Sequence, residues 1–323
     1  MPTTRKEAIL CQSDSMDVLF NALLERVESH KASIPVITGP TGSGKSHLAM
    51  MLAERIKGEI VSCDAMQVYR GFDIGTAKPT KEDQRVIPHH MIDILDPCET
   101  MSVASYVSEV TDLLHRLLKD HKRPILCGGS VQYVSALLDG LRFIGDPPDA
   151  ALREEVAMAV EEKGLEASWK AIERLDPKSA AVIAPTDRTR IVRFFEIYRQ
   201  TGLLKSEINL RSREGEAPFN YLPFWLDWTP RAALYGAIND RVDRMFQAGL
   251  VSEVKKLSDK VPQVSECPAF RGIGYKEVLG HLEGQYSEVE ARHRIAQSTR
   301  RYAKRQQTWL RKRKDLQILL IHR

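Results

Sequence analysis

The chain has no apolar run approaching the about 18 to 20 residues that cross a bilayer. No transmembrane helix is therefore expected in its 323 residues. The first 33 residues lack an apolar core and carry Glu7, Asp14, Asp17, Glu25 and Glu28, which argues against a signal or transit peptide. Cysteine is scarce: Cys11, Cys63, Cys98, Cys127 and Cys267 are odd in number, widely spaced and contain no Cys-x-x-Cys pair. That pattern fits reduced thiols in a cytoplasmic protein better than disulfides or a zinc site. His89 and His90 are chain neighbours with no third ligand at a useful spacing, so they read as loop or hydrogen-bonding residues. Internal repeats and low-complexity segments are also missing. One absence is local: between Ala291 and Lys314 there are ten Lys and Arg and no acid. Removing those ten leaves 37 basic residues against 43 acidic, so the net charge of +4 is concentrated near the C-terminal end and points to a polyanion there.

What is present is an ordinary globular composition, 43% apolar and 28% charged, long enough for two domains. Residues 1–33 read as a polar extension holding one amphipathic helix. An apolar strand, Ile34 to Thr38, runs into "GPTGSGKS" (Gly39 to Ser46), then a helical stretch to Ile56, then a second strand ending at Asp64. Strand, loop, helix and strand within about 30 residues build a parallel sheet. A helix near Ser102 to Lys119 leads to a third strand, Arg123 to Gly129, and "LPFWLDW" (Leu222 to Trp228) reads as another. The expected domains are an extension (1–33), a first core part (34–142), a helical insertion (143–212), and a core completion with a basic helical end (213–323).

The run Gly39-x-x-x-x-Gly44-Lys45-Ser46 has P-loop spacing without a gap, between a strand and a helix. Its glycines let backbone N–H groups converge on phosphate oxygens, with the helix N-terminus adding positive potential. Lys45 supplies a compact charge, and the Ser46 hydroxyl can ligate Mg²⁺. The spacing leaves open whether the phosphates belong to ATP, GTP or another diphosphate. The third strand ends in "CGGSVQY" rather than in an acid, which weakens an ATPase reading and leaves a small-molecule kinase or a transferase. Asp64 closes the second strand and faces the same crevice as the loop. It could act as a general base, cap a turn or hold a Mg²⁺ water. Three residues on, the Gln67 amide can donate and accept together, as a base edge requires.

Taken in order, these stretches resemble one family, the tRNA dimethylallyltransferases or tRNA isopentenyltransferases. The landmarks are "GPTGSGKS", "SCDAMQVYRGFDIGTAKP" (Ser62 to Pro79), "HHMIDILDP" (His89 to Pro97), "GGSVQYVSALLDGL" (Gly128 to Leu141), "DRTRIVRFFEIYRQTG" (Asp187 to Gly202), "FRGIGYKE" (Phe270 to Glu277) and "RRYAKRQQTWLRKR" (Arg300 to Arg313). The resemblance implies transfer of a dimethylallyl group from its diphosphate to the exocyclic amine of an adenosine beside the tRNA anticodon, with Mg²⁺. Gly39, Pro40, Thr41, Gly42, Ser43, Gly44, Lys45 and Ser46 would then hold the donor diphosphate, with Ser46 at the metal. Asp64, Lys45, Ser130 and Arg241 would be catalytic, Asp64 as the base. The tRNA would be met by Asp64, Ala65, Met66 and Gln67, by Ser130 and Arg153, by Thr189, Arg190, Ile191, Val192 and Arg193, and by Arg271, Gly272, Ile273, Gly274, Tyr275 and Lys276.

Two departures from the family pattern stand out. Ser130-Val131-Gln132 replaces the usual Thr-Gly-Leu, which denies Val131 easy access to positive φ and predicts an altered loop. Phe194 and Phe195 stand where small and aliphatic residues are usual. The basic end gives independent support: Ile295, Thr299, Tyr302, Gln306 and Trp309 fall on one helical face, leaving other faces of the helix to the bases. The expected fold class is α/β, a P-loop NTPase-like parallel sheet core with a helical insertion domain and a basic helical C-terminal region. The expected partners are tRNA, at its anticodon stem-loop, and dimethylallyl diphosphate, with no membrane, for a cytoplasmic monomer. The rivals are an isopentenyltransferase acting on free AMP, ADP or ATP, a P-loop small-molecule kinase, and a non-catalytic tRNA-binding module.

Overall fold

Seven strands form one sheet in the computed structural model, which describes residues 8–143, 150–212, 214, 217–261 and 263–322. They are β1 (Ile9–Ser13), β2 (Ile34–Thr38), β3 (Gly58–Ser62), β4 (His89–His90), β5 (Arg123–Gly128), β6 (Tyr221–Thr229) and β7 (Gln317–His322). Their order is β1-β7-β6-β2-β5-β3-β4, and every pairing is parallel. All five residues of β2 and of β3 are buried, as a parallel sheet covered on both faces requires. The strand order reverses at β2. The C-terminal ends of β2, β3 and β5 therefore open on one crevice, where ligands bind in open α/β sheets.

The helix Met16–Glu28 buries Leu19, Leu23 and Val27, spaced four apart, against the P-loop helix Lys45–Ile56 and the sheet. The described part of the expected extension, residues 8–33, therefore joins the sheet, because β1 pairs along β7. That role was hidden because an edge strand of five residues shows little periodicity. A second cluster gathers Val68 and Phe72 with Val242, Phe246, Leu250, Phe270, Tyr275 and Ile295. Cys98 and Cys267, expected as free thiols, form a disulfide across 169 residues of chain. Spacing could not show this, because the fold alone brings their Cα atoms to 4.0 Å. Cys11, Cys63 and Cys127 are free. No described helix is long and apolar enough to cross a membrane.

By its contacts the chain divides into Met1–Ala136 with Pro218–Arg323, and Leu137–Ala217. The second unit is wholly helical among its described residues and a little wider than the expected insertion; residues 144–149, near its start, lie outside the described residues. Its core is Val156, Val160, Ile172, Ile183, Ile191 and Phe194. Phe194 is fully buried there and meets Phe195 edge-on at 5.3 Å, which accounts for the aromatic pair in place of aliphatic residues.

Candidate active site

The phosphate loop follows β2 directly, and its shape rests on glycine where the backbone turns left-handed, at Gly42 (φ 79°) and Gly44 (φ 92°). Three side chains fix it, Trp228 and Gln306 from outside the motif and Lys45 from within it. The Trp228 indole N–H donates to Ser43 O at 3.0 Å, and Lys45 Nζ reaches Pro40 O at 3.4 Å. Gln306, from the helix Glu288–Leu310, accepts the Thr41 N–H at 2.9 Å. Ser43 is fully buried, and its backbone N–H donates to Pro40 O at 3.2 Å.

A cleft of about 760 Å³ opens over the loop. It brings together Thr41, Gly42, Gly44, Lys45 and Ser46 with Asp64, Gln67 and Arg241. Asp64 is half-buried beyond β3; its Oδ1 accepts the Met66 N–H at 2.8 Å, closing a tight turn. Its Oδ2 has no hydrogen-bond partner among the described residues. Burial draws the Lys45 ammonium below the ordinary lysine value; Arg241 pushes the same way, while Cys127 and Asp64 oppose. Arg241 is lowered by burial too, against the pull of Asp64. A carboxylate and two cations thus face one space, and burial of the cations strengthens their interaction with the carboxylate. Burial pushes the Cys127 thiol, on the same wall, up to about 11, so it stays protonated at neutral pH.

Ser130 does not line the cleft. Its hydroxyl oxygen accepts the Ala65 N–H at 2.8 Å, tying the end of β5 to the Asp64 turn. Val131 opens the helix Val131–Leu138 with no positive φ, so a β-branched residue fits there without the altered loop expected. Gln67 departs from its expected part as a free base-reading edge. Its carbonyl accepts the Ser62 hydroxyl at 2.9 Å, and its amino group donates to Thr76 O and Ala77 O. Both halves of the amide hold the loop Gly71–Pro79 against the end of β3.

That loop has further anchors that sequence reasoning missed. Lys78, its side chain 1% exposed, donates to Tyr69 O, Asp73 and Asp93. Burial works against the Asp93 carboxylate, yet Lys78 and Lys81 hold it below its usual range. Glu253 accepts the N–H groups of Asp73, Ile74 and Gly75 and the Tyr275 hydroxyl. Nothing in the local sequence marks Glu253, which lies 178 to 180 residues from the amides it holds. Replacing Glu253 with Ala should destabilise the protein by roughly 3 kcal/mol in urea unfolding, because three backbone donors lose a charged acceptor.

Tyr275 was placed among the tRNA contacts, but it is fully buried, its hydroxyl pushed up by burial and by Glu253. It supports the loop from behind, and Gly274 beside it is buried as well. Arg271 and Lys276 of the same run are exposed, and Gly272 lies against Met66. In the second unit, Ile191 (0% exposed) and Val192 (8%) face the core, which removes their side chains from any surface contact. Arg153, Thr189, Arg190 and Arg193 are exposed there, Arg190 beside Asp187 and Arg193 beside Glu196.

The family model for IPP transferase matches residues 67–313. A tRNA dimethylallyltransferase of Trichlorobacter lovleyi is 42% identical over 290 residues, 89% of this chain and 93% of that one. Another, from Bacillus subtilis, is 38% identical over 281 residues, 87% and 88% of the two chains. Among solved structures, the full-length tRNA isopentenylpyrophosphate transferase of Bacillus halodurans is similar with a TM-score of 0.65 and 37% identity, over 90% of each chain. A eukaryotic dimethylallyltransferase acting on tRNA reaches 0.76 with 28% identity, over 90% of this chain and 74% of that one. On this agreement of sequence, fold and cleft, the chain belongs to the IPP transferase family, the group that holds the tRNA dimethylallyltransferases.

Proposed function

We propose that the protein transfers the dimethylallyl group of dimethylallyl diphosphate to the exocyclic N6 amine of the adenosine beside the anticodon in tRNA. The observation that carries this reading is one cleft holding a carboxylate with a free oxygen, Asp64, across from the phosphate loop with Lys45 and Arg241. The carboxylate can take the proton of an amine nucleophile while the loop holds the phosphates of the donor. The adenine nitrogen forms a bond to the allylic carbon while the carbon–oxygen bond to diphosphate breaks. Asp64 accepts the proton the amine releases, and Lys45 and Arg241 offset the charge gathering on the leaving diphosphate. An extruded base is the form in which such chemistry reaches a nucleobase.

The residues present suit Mg²⁺. Ser46 offers an exposed hydroxyl on the cleft wall, and this hard cation ordinarily takes most remaining ligands from phosphate oxygens and water. Bound there, it would stabilise the departing diphosphate. For the tRNA backbone, Arg153, Arg190 and Arg193 are candidates, together with the basic end of the chain. Arg292, Arg294 and Arg313 are paired to Glu288, Glu290 and Asp315. Arg301, Lys304, Arg311, Lys312 and Lys314 are exposed and have no ion pair among the described residues. Changing Arg301, Lys304 and Lys312 together to Gln should flatten the salt dependence of tRNA binding, lowering the log–log slope by about 2 in filter binding.

The test of the whole reading is transfer of labelled dimethylallyl from its diphosphate, with Mg²⁺, to unmodified tRNA and to free AMP offered separately. Label on tRNA alone is expected. Label on AMP would move the activity to free nucleotides, and hydrolysis of ATP without label would overturn the donor.

A further inference from the structure

Gln306 is 2% exposed and lies on the inward side of the helix Glu288–Leu310, while Arg301, Lys304 and Arg305 around it are exposed. Its Oε1 accepts the Thr41 N–H of the phosphate loop at 2.9 Å, and its Nε2 donates to Gly129 O at 2.7 Å. Tyr302, one turn earlier and on the cleft wall, also reaches Gly129 O, at 3.4 Å. The next residue after Gly129 is Ser130, which holds the Asp64 turn through Ala65. One amide therefore joins the loop after β2, the loop after β5 and, through Ser130, the turn carrying the base. The approach is close enough to dictate its partner: a Cβ at Gly129 would lie 2.4 Å from Gln306 Nε2.

We infer that Gln306 is a positioning residue of the donor site, locking the diphosphate loop to the helix that carries the basic face. The inference rests on the proposed reading that this loop holds a diphosphate. Few side chains can replace it. Ionised Glu accepts but cannot donate, Lys donates but cannot accept, and Asn is one methylene short. Without the amide, the Thr41 N–H loses its acceptor and Gly129 O keeps only the longer bond from Tyr302, and the loop relaxes to satisfy them. A donor displaced by about 1 Å loses alignment with its acceptor.

The experiment compares wild type, Gln306→Ala and Gln306→Glu in two assays. Calorimetric titration with inorganic diphosphate and Mg²⁺, without acceptor, reads the loop alone; labelled transfer to tRNA reads the reaction. In Gln306→Ala, diphosphate affinity should fall about 10-fold and the KM for dimethylallyl diphosphate should rise in parallel, with tRNA affinity within about twofold. Gln306→Glu should be weak near about pH 8 and recover toward about pH 6, where a protonated carboxyl can again donate to Gly129 O. Unchanged diphosphate affinity in both variants would overturn the proposal. So would a loss shared equally by tRNA binding and melting temperature with no recovery of Gln306→Glu on acidification. If Gln306→Ala fails to fold, the pH response of Gln306→Glu decides. A wild type that leaves tRNA unlabelled while the variants still lose diphosphate would sink the acceptor reading and leave Gln306 in its role.

Discussion

Changing Asp64 to Asn is expected to lower the turnover of dimethylallyl transfer about 10³-fold while leaving the protein folded. Asn keeps the oxygen that accepts the Met66 N–H, so the turn after β3 survives; what disappears is the oxygen with a lone pair to spare for a proton. The fall should lie in kcat, since the adenine amine needs the carboxylate only as its bond to carbon forms. Single-turnover transfer to tRNA, with donor and acceptor both saturating, measures it. The two other parts that Asp64 could play give different results. A turn cap would leave Asn nearly as active as Asp. A carboxylate that holds a metal-bound water would lose activity that added Mg²⁺ restores. Activity within about tenfold of wild type would therefore end its assignment as the base.

The second large effect is expected at Lys45. Its ammonium stands at the mouth of the phosphate loop, in reach of Asp64 and Arg241. Lys45→Ala should lower kcat about 10²- to 10³-fold, the range seen when one preorganised donor to a developing anion is removed. A pH dependence follows with a definite sign. The working form of Lys45 is the cation, and burial holds its pKa below the ordinary value, so diphosphate affinity should decline as pH rises and begin to do so earlier than for a solvated lysine. Arg241→Gln removes a like charge, raises the Lys45 pKa and should move that decline to higher pH. A titration of diphosphate affinity against pH that falls at the same point in both proteins would contradict the coupling.

The loop, Asp64 and the parallel sheet around them were legible because backbone geometry dictates their sequence. Left-handed turns at positions 42 and 44 call for glycine, and strands buried on both faces are continuous apolar runs. The basic helix was legible in the same way, and its inward face was read correctly for Ile295, Thr299 and Gln306. What escaped depends on residues distant in sequence. Glu253 caps amides some 180 positions away, and Tyr275 sits under the loop it was expected to flank. Gln67 has the chemistry to read a base, but neighbours met only in the fold use it up. Gln306 was placed on the helical face away from the bases, and no spacing rule could show that its amide bridges two loops. Strands β1 and β7 were overlooked because each is short, and each pairs with segments far away in the sequence.

The order of strands has a consequence for how the chain is made. The P-loop strand β2 lies between β5 and β6, so during synthesis one of its edges stays unpaired until residues 221–229 leave the ribosome. The helical unit Leu137–Ala217, built from contacts close in sequence, emerges in the interval, before β6 and β7 are available. β7, which follows the other six described strands in the sequence, pairs on one side with β6 and on the other with β1, which precedes them. A nascent chain stalled before residue 317 would hold its phosphate loop beside an open sheet edge, exposed to any other strand that met it.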